Sequence, residues 1–556
     1  MTKGKVVKID FSQERLLKQA ERFCEEGDFL SALRFARFAC EKYDECGDAH
    51  VLLADIYERL GLNSSALNEW FRFLDRCAFE DLPDAYEGIA VNYLNLGNEK
   101  LSQYYYNQLV DVDETITNEG IAEINQTFQD DKKGFRFVYP PELSDFKKEM
   151  KTGRLALKNG ELERAVEVLS KVEKGSKEYA QAMEMQAVAR LLEGKKEEAE
   201  KLCLTLLEEK PNDVQALATL SAVYTEQGRR DESRKIAQKL CSIPVQTAEE
   251  RYKIATVACE NDLHEEAYRH FCLLEKDIPY DGNMLYFKGV SAFLSGHEEE
   301  GKETFEKLCD IYPDAVVAKY YLNKIKRYLS GEEEKPELVY YYRLPEKERE
   351  KRCESLLALD KMKKEEREIV GGMFNKAGYF TWCFDEMDGM QYDLQFLGSY
   401  VAVKSYQDDF IRDVLLDIEV RDVLKVELLR ALFERNEEDT FGAVICGVYR
   451  EIHMPKLSIN GKQKKKFIYA FSECASKFGI FADGIIERLQ KTTEALYKSI
   501  QKKELWNLCE KKENLVCALY LLCGLKQVGK NSKEASGAFK SDAETVDLIM
   551  ANFLSY

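Results

Sequence analysis

The chain has 556 residues, of which 45% are hydrophobic and 33% are charged, and its formal net charge at pH 7 is −19. This length suits two to four domains, or one long repeat array with a further domain. The negative charge argues against general binding to nucleic acid or to an anionic membrane surface, because both would repel the protein.

Three features of the sequence favour a cytoplasmic location. The first residues contain lysines but no apolar core of a secretory signal. No stretch approaches the roughly 18 uncharged apolar residues of a membrane span. The 16 cysteines are scattered singly, without a CxxC pair, which is typical of small buried side chains in a reducing compartment.

Three helical hairpins are predicted at residues 13–116, after a short tail at residues 1–12. A turn glycine recurs at Gly27, Gly61 and Gly97, with small and aromatic residues at matching positions around it. Such a glycine supplies the left-handed backbone that ends the first helix of each hairpin. The connector that follows, residues 117–145, is interpreted as a spacer with a covered apolar strip. The alternative is an internal segment that lies in a binding groove.

The most regular repeat covers residues 146–330. A glycine or aspartate recurs every 34 residues, and small residues keep the same period five positions later and seven positions earlier. A repeat array needs a final helix to cover its last apolar face, and Val316–Leu329 is predicted to be that helix. The recurring positions are Gly160, Gly194, Gly228, Asp262 and Gly296.

This pattern resembles the tetratricopeptide repeat, which has a 34-residue period, small residues at positions 8 and 20 and an aromatic residue at position 11 or 24. The unit endings EEKPND (208–213) and DIYPDA (310–315) are also similar to those of the family. The resemblance implies an all-α fold: an α-solenoid of two arrays, with three and five helical hairpins, followed by a helical C-terminal domain. It also implies a concave groove that binds a protein or peptide.

In the family, the first helix of each unit lines this groove through positions 2, 5, 9 and 12. These positions are basic in the first unit of the second array, polar in the middle and aromatic at the end, which would suit a segment with an acidic end and an apolar end. The lysine–asparagine–arginine clamp with which some members hold a C-terminal carboxylate is not reproduced. The candidate groove residues are Lys147, Met150, Arg154, Gln181, Glu184, Gln215, Thr225, Tyr252, Thr256, Asn283, Tyr286 and Phe293.

A charged linker at residues 331–350 precedes a helical C-terminal domain at residues 351–556. Within this domain, the segments Ile411–Leu416 and Val423–Phe433 resemble a paired-helix unit of HEAT-like repeats. Gly371–Gly398 mixes glycines with aromatic residues, and we interpret it as turns around an aromatic cluster, with a small hairpin as one option.

No residue pattern indicates catalysis or metal binding. Cys259, His264, His270 and Cys272 are the densest metal candidates, but they lack the spacing of a zinc site. Nucleophile and phosphate-binding motifs are missing from the sequence. The basic run 461–466 is interpreted as a solvated loop.

We therefore predict a non-enzymatic scaffold or adaptor with a protein partner and without metal, cofactor, nucleic acid or membrane. The oligomeric state is left open. Two alternatives remain at this point: a peptide-sensing regulator with output through the C-terminal domain, and an enzyme housed in residues 351–556.

Overall fold

The computed structural model describes residues 12–43, 47–112, 146–244, 247–385, 391–479, 484–524 and 532–554. It is dominated by α-helices, which confirms the all-α prediction. Residues 1–128 together with 344–556 form one compact unit, the N/C module. Residues 129–343 form the other, the central module. Most of the tail at 1–12 and the whole connector at 117–145 lie outside the described residues.

The first array forms three antiparallel helical hairpins. Gly27, Gly61 and Gly97 all adopt left-handed backbone, with φ of 79°, 73° and 74°, at the turn of each hairpin. This conformation costs a glycine little, so the chain reverses there without strain. The six helices are α1 (Gln13–Glu26), α2 (Phe29–Lys42), α3 (Gly47–Arg59), α4 (Asn63–Leu74), α5 (Leu82–Asn95) and α6 (Glu99–Val112).

The second array forms five hairpins and a final helix, α17, whose bounds match the predicted terminal helix. The ten helices of the hairpins are α7 (Lys147–Lys158), α8 (Leu162–Leu169), α9 (Tyr179–Leu192), α10 (Lys196–Glu209), α11 (Val214–Glu226), α12 (Arg230–Cys241), α13 (Ala248–Glu260), α14 (His264–Leu274), α15 (Gly282–Leu294) and α16 (Glu298–Ile311), and α17 is Val316–Leu329.

The repeated small residues allow the two helices of a hairpin to approach closely. A Cβ atom added at Gly153 would lie 2.5 Å from Leu169 Cγ, and one added at Gly289 would lie 2.9 Å from Phe305 Cδ2. Real Cβ contacts are longer, so a larger residue would push the helices apart. The small-residue columns of the sequence therefore mark the closest contacts within the hairpins.

The C-terminal part of the N/C module is also mostly helical. Its elements are α18 (Glu346–Asp360), α19 (Lys364–Lys376), α20 (Tyr379–Asp385), α21 (Gln391–Lys404), α22 (Asp408–Leu416), α23 (Asp422–Arg435), β1 (Asp439–Ile445), β2 (Val448–Met454), α24 (Lys464–Cys474), α25 (Ile485–Lys502), α26 (Lys512–Leu522), α27 (Ser532–Phe539) and α28 (Ala543–Leu554).

The predicted helix pair is confirmed by α22 and α23, whereas most of the described residues of Gly371–Gly398, which leave out 386–390, are helical and do not form the expected run of turns or hairpin. The helical residues form parts of α19, α20 and α21. Gly378 reverses the chain between α19 and α20 with a φ of 70°, but Gly398 serves helix packing: a Cβ atom there would lie 2.7 Å from Cys383 Sγ. Close approach between helices, rather than chain reversal, explains why a small residue stands there.

The structure contains a two-stranded antiparallel hairpin at residues 439–454, outside Gly371–Gly398, where a hairpin had been considered. Strands β1 and β2 pair with Ile445 opposite Val448. The two turn residues, Cys446 and Gly447, have positive φ angles of 53° and 76°. This backbone matches the right-handed twist of a tight hairpin.

The turn of this hairpin packs on the last repeat of the first array, within the N/C module. The hydroxyl oxygens of Tyr93 and Tyr105 lie 2.9 and 3.1 Å from the carbonyl oxygen of Gly447. Tyr449 donates its backbone N–H to Tyr105 Oη at 2.9 Å and its hydroxyl to Asp75 Oδ1 at 2.8 Å. The C-terminal chain therefore covers aromatic residues that a further repeat would otherwise cover.

Candidate protein-binding groove

A cleft of about 1230 Å³ lies along the first helices of the second array. It begins at the end of α7, crosses α9 and the start of α11, and reaches α13. We call it the open half of the groove. Its lining residues are Arg154, Leu157, Gln181, Glu184, Met185, Val188, Lys210, Pro211, Asn212, Asp213, Val214, Gln215, Thr247, Glu249, Glu250 and Lys253.

Four of the twelve candidate residues meet in the open half: Arg154, Gln181, Glu184 and Gln215. The other eight lie elsewhere. Met150 is buried in the core of the first hairpin, Lys147 and Asn283 are exposed, and Tyr252 packs edge-on to Phe271. The Thr225 and Thr256 hydroxyls bond to neighbouring residues of the array, and Tyr286 and Phe293 are buried.

The register of the repeat misses several polar residues of the cleft. Lys210 and Asp213 come from the loop between α10 and α11. Lys253 is the sixth residue of α13. Asp213 accepts the backbone N–H of Ala216 at 2.9 Å and thereby caps α11. Lys253 donates to Gln215 Oε1. The ending EEKPND is the sequence signal that could have identified the loop residues.

Two cations of the open half are available for an outside partner. The side chains of Arg154 and Lys210 form neither an ion pair nor a hydrogen bond within the described part of the chain. Arg154 is exposed. An unpaired arginine can bind a carboxylate through two parallel hydrogen bonds, and a lysine acts as a point charge. These two positions of the cleft can therefore hold acidic groups.

The carboxyl group of Glu184 faces mixed charges in the same cleft. Burial and the negative charge of Asp213 raise its pKa to about 7, against the opposing effect of Lys210 and Lys253. The ionised form is therefore the unfavourable one in the folded protein. Near neutral pH the group exchanges between a hydrogen-bond donor and an anion, which changes what a ligand meets at this point.

Replacing Glu184 by glutamine should stabilise the central module at pH 8 and have little effect at pH 4.5. The folded-state pKa is raised, so stability falls as pH rises from the unfolded value of 4.5 to about 7, and the penalty is complete above that range. We expect about 1 kcal/mol, because solvent screens a half-buried carboxyl. Urea unfolding followed by far-UV circular dichroism at both pH values measures the difference.

Tryptophan fluorescence provides the control for this measurement. All three tryptophans, Trp70, Trp382 and Trp506, belong to the N/C module. Their unfolding transition should be the same in wild type and in the Glu184→Gln variant. A variant that is no more stable than wild type at pH 8 would contradict a raised pKa at Glu184.

The aromatic end of the groove is occupied by the chain itself. After the terminal helix, the segment Leu338–Arg343, which we call the cis segment, lies against α13, α15 and α17 without forming a helix or strand of its own. The hydroxyl oxygen of Tyr286 lies 2.9 Å from the carbonyl oxygen of Val339 and 3.1 Å from that of Tyr341. We call the surface that it covers the aromatic half.

Side chains at alternate positions of the cis segment face this surface. Leu338 is 4% exposed. The Tyr340 hydroxyl lies 2.9 Å from His264 Nδ1 and hydrogen-bonds to Cys259, and the Tyr342 ring packs 4.8 Å from that of Tyr286. Between them, Tyr341 is 75% exposed. The segment is thus held both by its backbone and by every second side chain.

Ion pairs hold the chain just before the cis segment. Lys335 Nζ lies 2.7 Å from Glu298 Oε1 and 4.9 Å from the centre of the Phe293 ring. Glu333 accepts a hydrogen bond of 2.8 Å from Lys324. Exposed pairs of this kind contribute little individually, roughly 0.2–1 kcal/mol. They set where the segment enters the groove.

The described residues contain no cluster of three or more metal-binding side chains. Three of the four residues considered for a metal site have other partners. Cys259 and His264 both contact Tyr340, whereas His270 directs Nε2 to the Cys241 carbonyl oxygen at 3.4 Å. In the basic run, Lys466 donates to the Cys509 carbonyl oxygen at 3.0 Å. Among the helices that the structure describes, none is long and apolar enough to span a membrane.

The tetratricopeptide-repeat family model matches residues 17–79 and 150–214, one stretch in each array. The chain therefore contains tetratricopeptide repeats in both arrays. Its resemblance to the family, drawn first from the 34-residue period, is thereby confirmed. Repeats of this family serve in general as protein-interaction scaffolds.

Several solved structures resemble the chain at low identity. A tetratricopeptide repeat protein from Parabacteroides merdae is 17% identical, with 53% of this chain and 98% of that chain covered and a TM-score of 0.21. Yeast Tom70 is 11% identical, with 86% of this chain and 98% of that chain covered and a TM-score of 0.28. Human IFIT1 is 15% identical, with 77% of this chain and 91% of that chain covered and a TM-score of 0.25. Such scores carry no argument about the partner. No curated protein matched the chain.

Proposed function

We propose that this protein is a non-enzymatic cytoplasmic scaffold or adaptor that binds a segment of a partner protein in the open half of its groove. The single observation that carries the proposal is the open half itself, a cleft large enough for several residues and lined by candidate groove positions of successive repeats. A surface built from stacked hairpins is formed in advance, so binding orders the partner more than the protein.

Two of the cations that line the cleft support a partner segment with acidic residues at their positions, although Glu184, Asp213, Glu249 and Glu250 line the same cleft. Arg154 and Lys210 have side chains without an ion pair in the described part of the chain. Opposite charges raise the rate of encounter and reject partners of the wrong charge. The sequence suggested that an apolar end of the ligand binds at the aromatic end of the groove. The cis segment covers that surface, so the proposal rests on the open half alone.

Photo-crosslinking in cells tests this proposal. A photoreactive amino acid at Gln181, an exposed residue of the cleft, should capture a discrete partner. The same amino acid at Lys201, an exposed residue on α10 that does not line the cleft, serves as the matched control. Charge reversal at Arg154 and Lys210 together should lower the Gln181 crosslink about tenfold, because attraction becomes repulsion.

The partner captured at Gln181 should be missing at Lys201. Equal capture at both positions, or an unchanged yield after the Arg154→Glu and Lys210→Glu substitutions, would contradict binding in the open half. The tryptophan fluorescence of the variants should match wild type, which shows that the N/C module is unaffected.

A further inference from the structure

The cis segment is held mainly by contacts that another protein segment could reproduce. Tyr286 binds two of its carbonyl oxygens, those of Val339 and Tyr341, and the Tyr321 hydroxyl donates to the Arg343 carbonyl oxygen at 3.0 Å. Every peptide backbone carries carbonyl groups, so these hydrogen bonds do not depend on the side chains of the bound segment. They recognise the backbone of a non-helical chain.

The side-chain contacts specify what such a segment must carry. Tyr340 lies among Cys259, His264 and Phe287, with its ring centre 5.8 Å from that of His264 and 6.3 Å from that of Phe287. Tyr342 packs edge-on to Tyr286. Both sites accept an aromatic ring with a polar tip, which is the chemistry of tyrosine. The intervening Tyr341 faces solvent.

The cis segment differs from the regular part of the array in how it is anchored. The helices of the hairpins are joined by short turns, whereas the cis segment is neither helix nor strand and leaves Tyr341 and Arg343 exposed. The cis segment covers one half of the groove, and the other half is open. A ligand in the open half that extends toward α15 would therefore meet the cis segment.

We propose that the cis segment is an internal ligand of the aromatic half, and that this half accepts in exchange a non-helical partner segment with tyrosines at alternate positions. The proposal deepens the proposed function and rests on it, because the exchanged segment would belong to the partner that occupies the open half. While the cis segment is bound, the groove is shortened to the open half. Its displacement exposes Tyr286, the aromatic groove position that the cis segment contacts.

Cys259 reports whether the aromatic half is covered. Its side chain is 5% exposed, it hydrogen-bonds to Tyr340, and burial raises the pKa of its thiol. A thiol reacts with an alkylating reagent as its thiolate and only when it is reachable, so Cys259 should react slowly in the wild-type protein. Cys203 is fully buried in the same module and reports its unfolding, and the exposed Cys446 reports the activity of the reagent.

The experiment uses the full chain and a synthetic peptide with the sequence of residues 335–344. Alkylation of each cysteine is followed by mass spectrometry. In the Tyr340→Ala, Tyr342→Ala double variant, Cys259 should react at least about tenfold faster, because thiol reactivity follows access. The peptide should restore the protection of Cys259, and the same peptide with serine in place of Tyr340 and Tyr342 should not.

Three outcomes would overturn the proposal. Cys259 could stay slow in the double variant, the peptide could fail to protect it while Cys203 remains unreactive, or both peptides could protect it equally. Should Cys203 become reactive, the single Tyr340→Ala variant replaces the double variant. It leaves the Tyr286 hydroxyl and the Tyr342 contact in place, and it should give the same order of peptide effects.

Size-exclusion chromatography of the wild-type protein supplies a second criterion. A monomer supports an internal ligand, whereas a dimer that exchanges this segment between copies would contradict it. None of these measurements needs the cellular partner. A failure here therefore leaves the crosslink from Gln181 intact, and a missing crosslink leaves the peptide result intact.

Discussion

Replacing Gly447 by valine is expected to destabilise the N/C module by about 3 kcal/mol. The residue has a φ of 76°, which a β-branched side chain adopts only with strain. Its added Cβ atom would also lie 2.3 Å from Leu101 Cδ1 and 3.1 Å from the Tyr93 hydroxyl oxygen. The backbone strain and the overpacking, about 1 and 2 kcal/mol, both act at the contact between the hairpin and the first array.

Urea unfolding followed by tryptophan fluorescence measures this loss, because every tryptophan is in the N/C module. Gly97 provides a matched control. It has a φ of 74°, but a Cβ atom added there would meet nothing within 4 Å. Gly97→Val should therefore show the backbone cost alone, about 1 kcal/mol. Equal losses of unfolding free energy in the two variants would mean that the hairpin is not closely packed on the first array.

The second large effect should appear as a pH dependence at Lys425. This lysine is 1% exposed, and its ammonium group donates a hydrogen bond of 2.6 Å to the carbonyl oxygen of Val444. Burial lowers its pKa from 10.5 to about 8, although the carboxylates of Asp417 and Asp422 act in the opposite direction. The charged form therefore destabilises the folded state.

The direction of the pH effect follows from the lowered pKa. Below pH 8 both the folded and the unfolded chain hold the proton, and the full penalty is present. Between pH 8 and 10.5 the folded state loses the proton first, so stability rises with pH. The Lys425 contribution changes by up to about 3 kcal/mol over this range.

A Lys425→Met variant should accordingly equal or exceed wild type in stability at pH 7 and be less stable than wild type at pH 10. At pH 10 the wild-type penalty has largely gone, while the variant still lacks the hydrogen bond to Val444, a loss of about 1–3 kcal/mol. Free energies of unfolding from tryptophan fluorescence at the two pH values give the difference. Lys376, an exposed lysine of the same module, is the control when replaced by methionine. A difference that does not change with pH would show that Lys425 is solvated.

The two arrays could be predicted from the sequence because their main contacts are local. Each hairpin packs on its neighbour, so the same requirements return every 34 residues, for a turn at Gly194 and again at Gly228. The terminal helix followed from the same reasoning. Four of the candidate residues chosen from the register, including Arg154 and Glu184, line one cleft.

The remaining features depend on contacts that the 34-residue repeat does not predict. The hairpin at Gly447 packs on Tyr93, more than 350 residues earlier in the chain. The cis segment lies against the aromatic half of the groove, although its sequence falls in the predicted charged linker, residues 331–350. Lys210 and Asp213 lie in a loop, where the repeat register makes no statement about side chains. Pairings of this kind are set by the folded chain as a whole.

The contact between Gly447 and the first array has a consequence for the synthesis of the protein. Residues 1–112 leave the ribosome long before residues 439–454, which cover Tyr93 and Tyr105. At about 5–20 residues per second, the first array waits roughly 20 to 70 seconds for its covering hairpin. The whole central module is made during that interval. A truncated chain that stops after the second array would therefore keep these aromatic side chains uncovered, and nascent chains of this length should be the ones that chaperones hold.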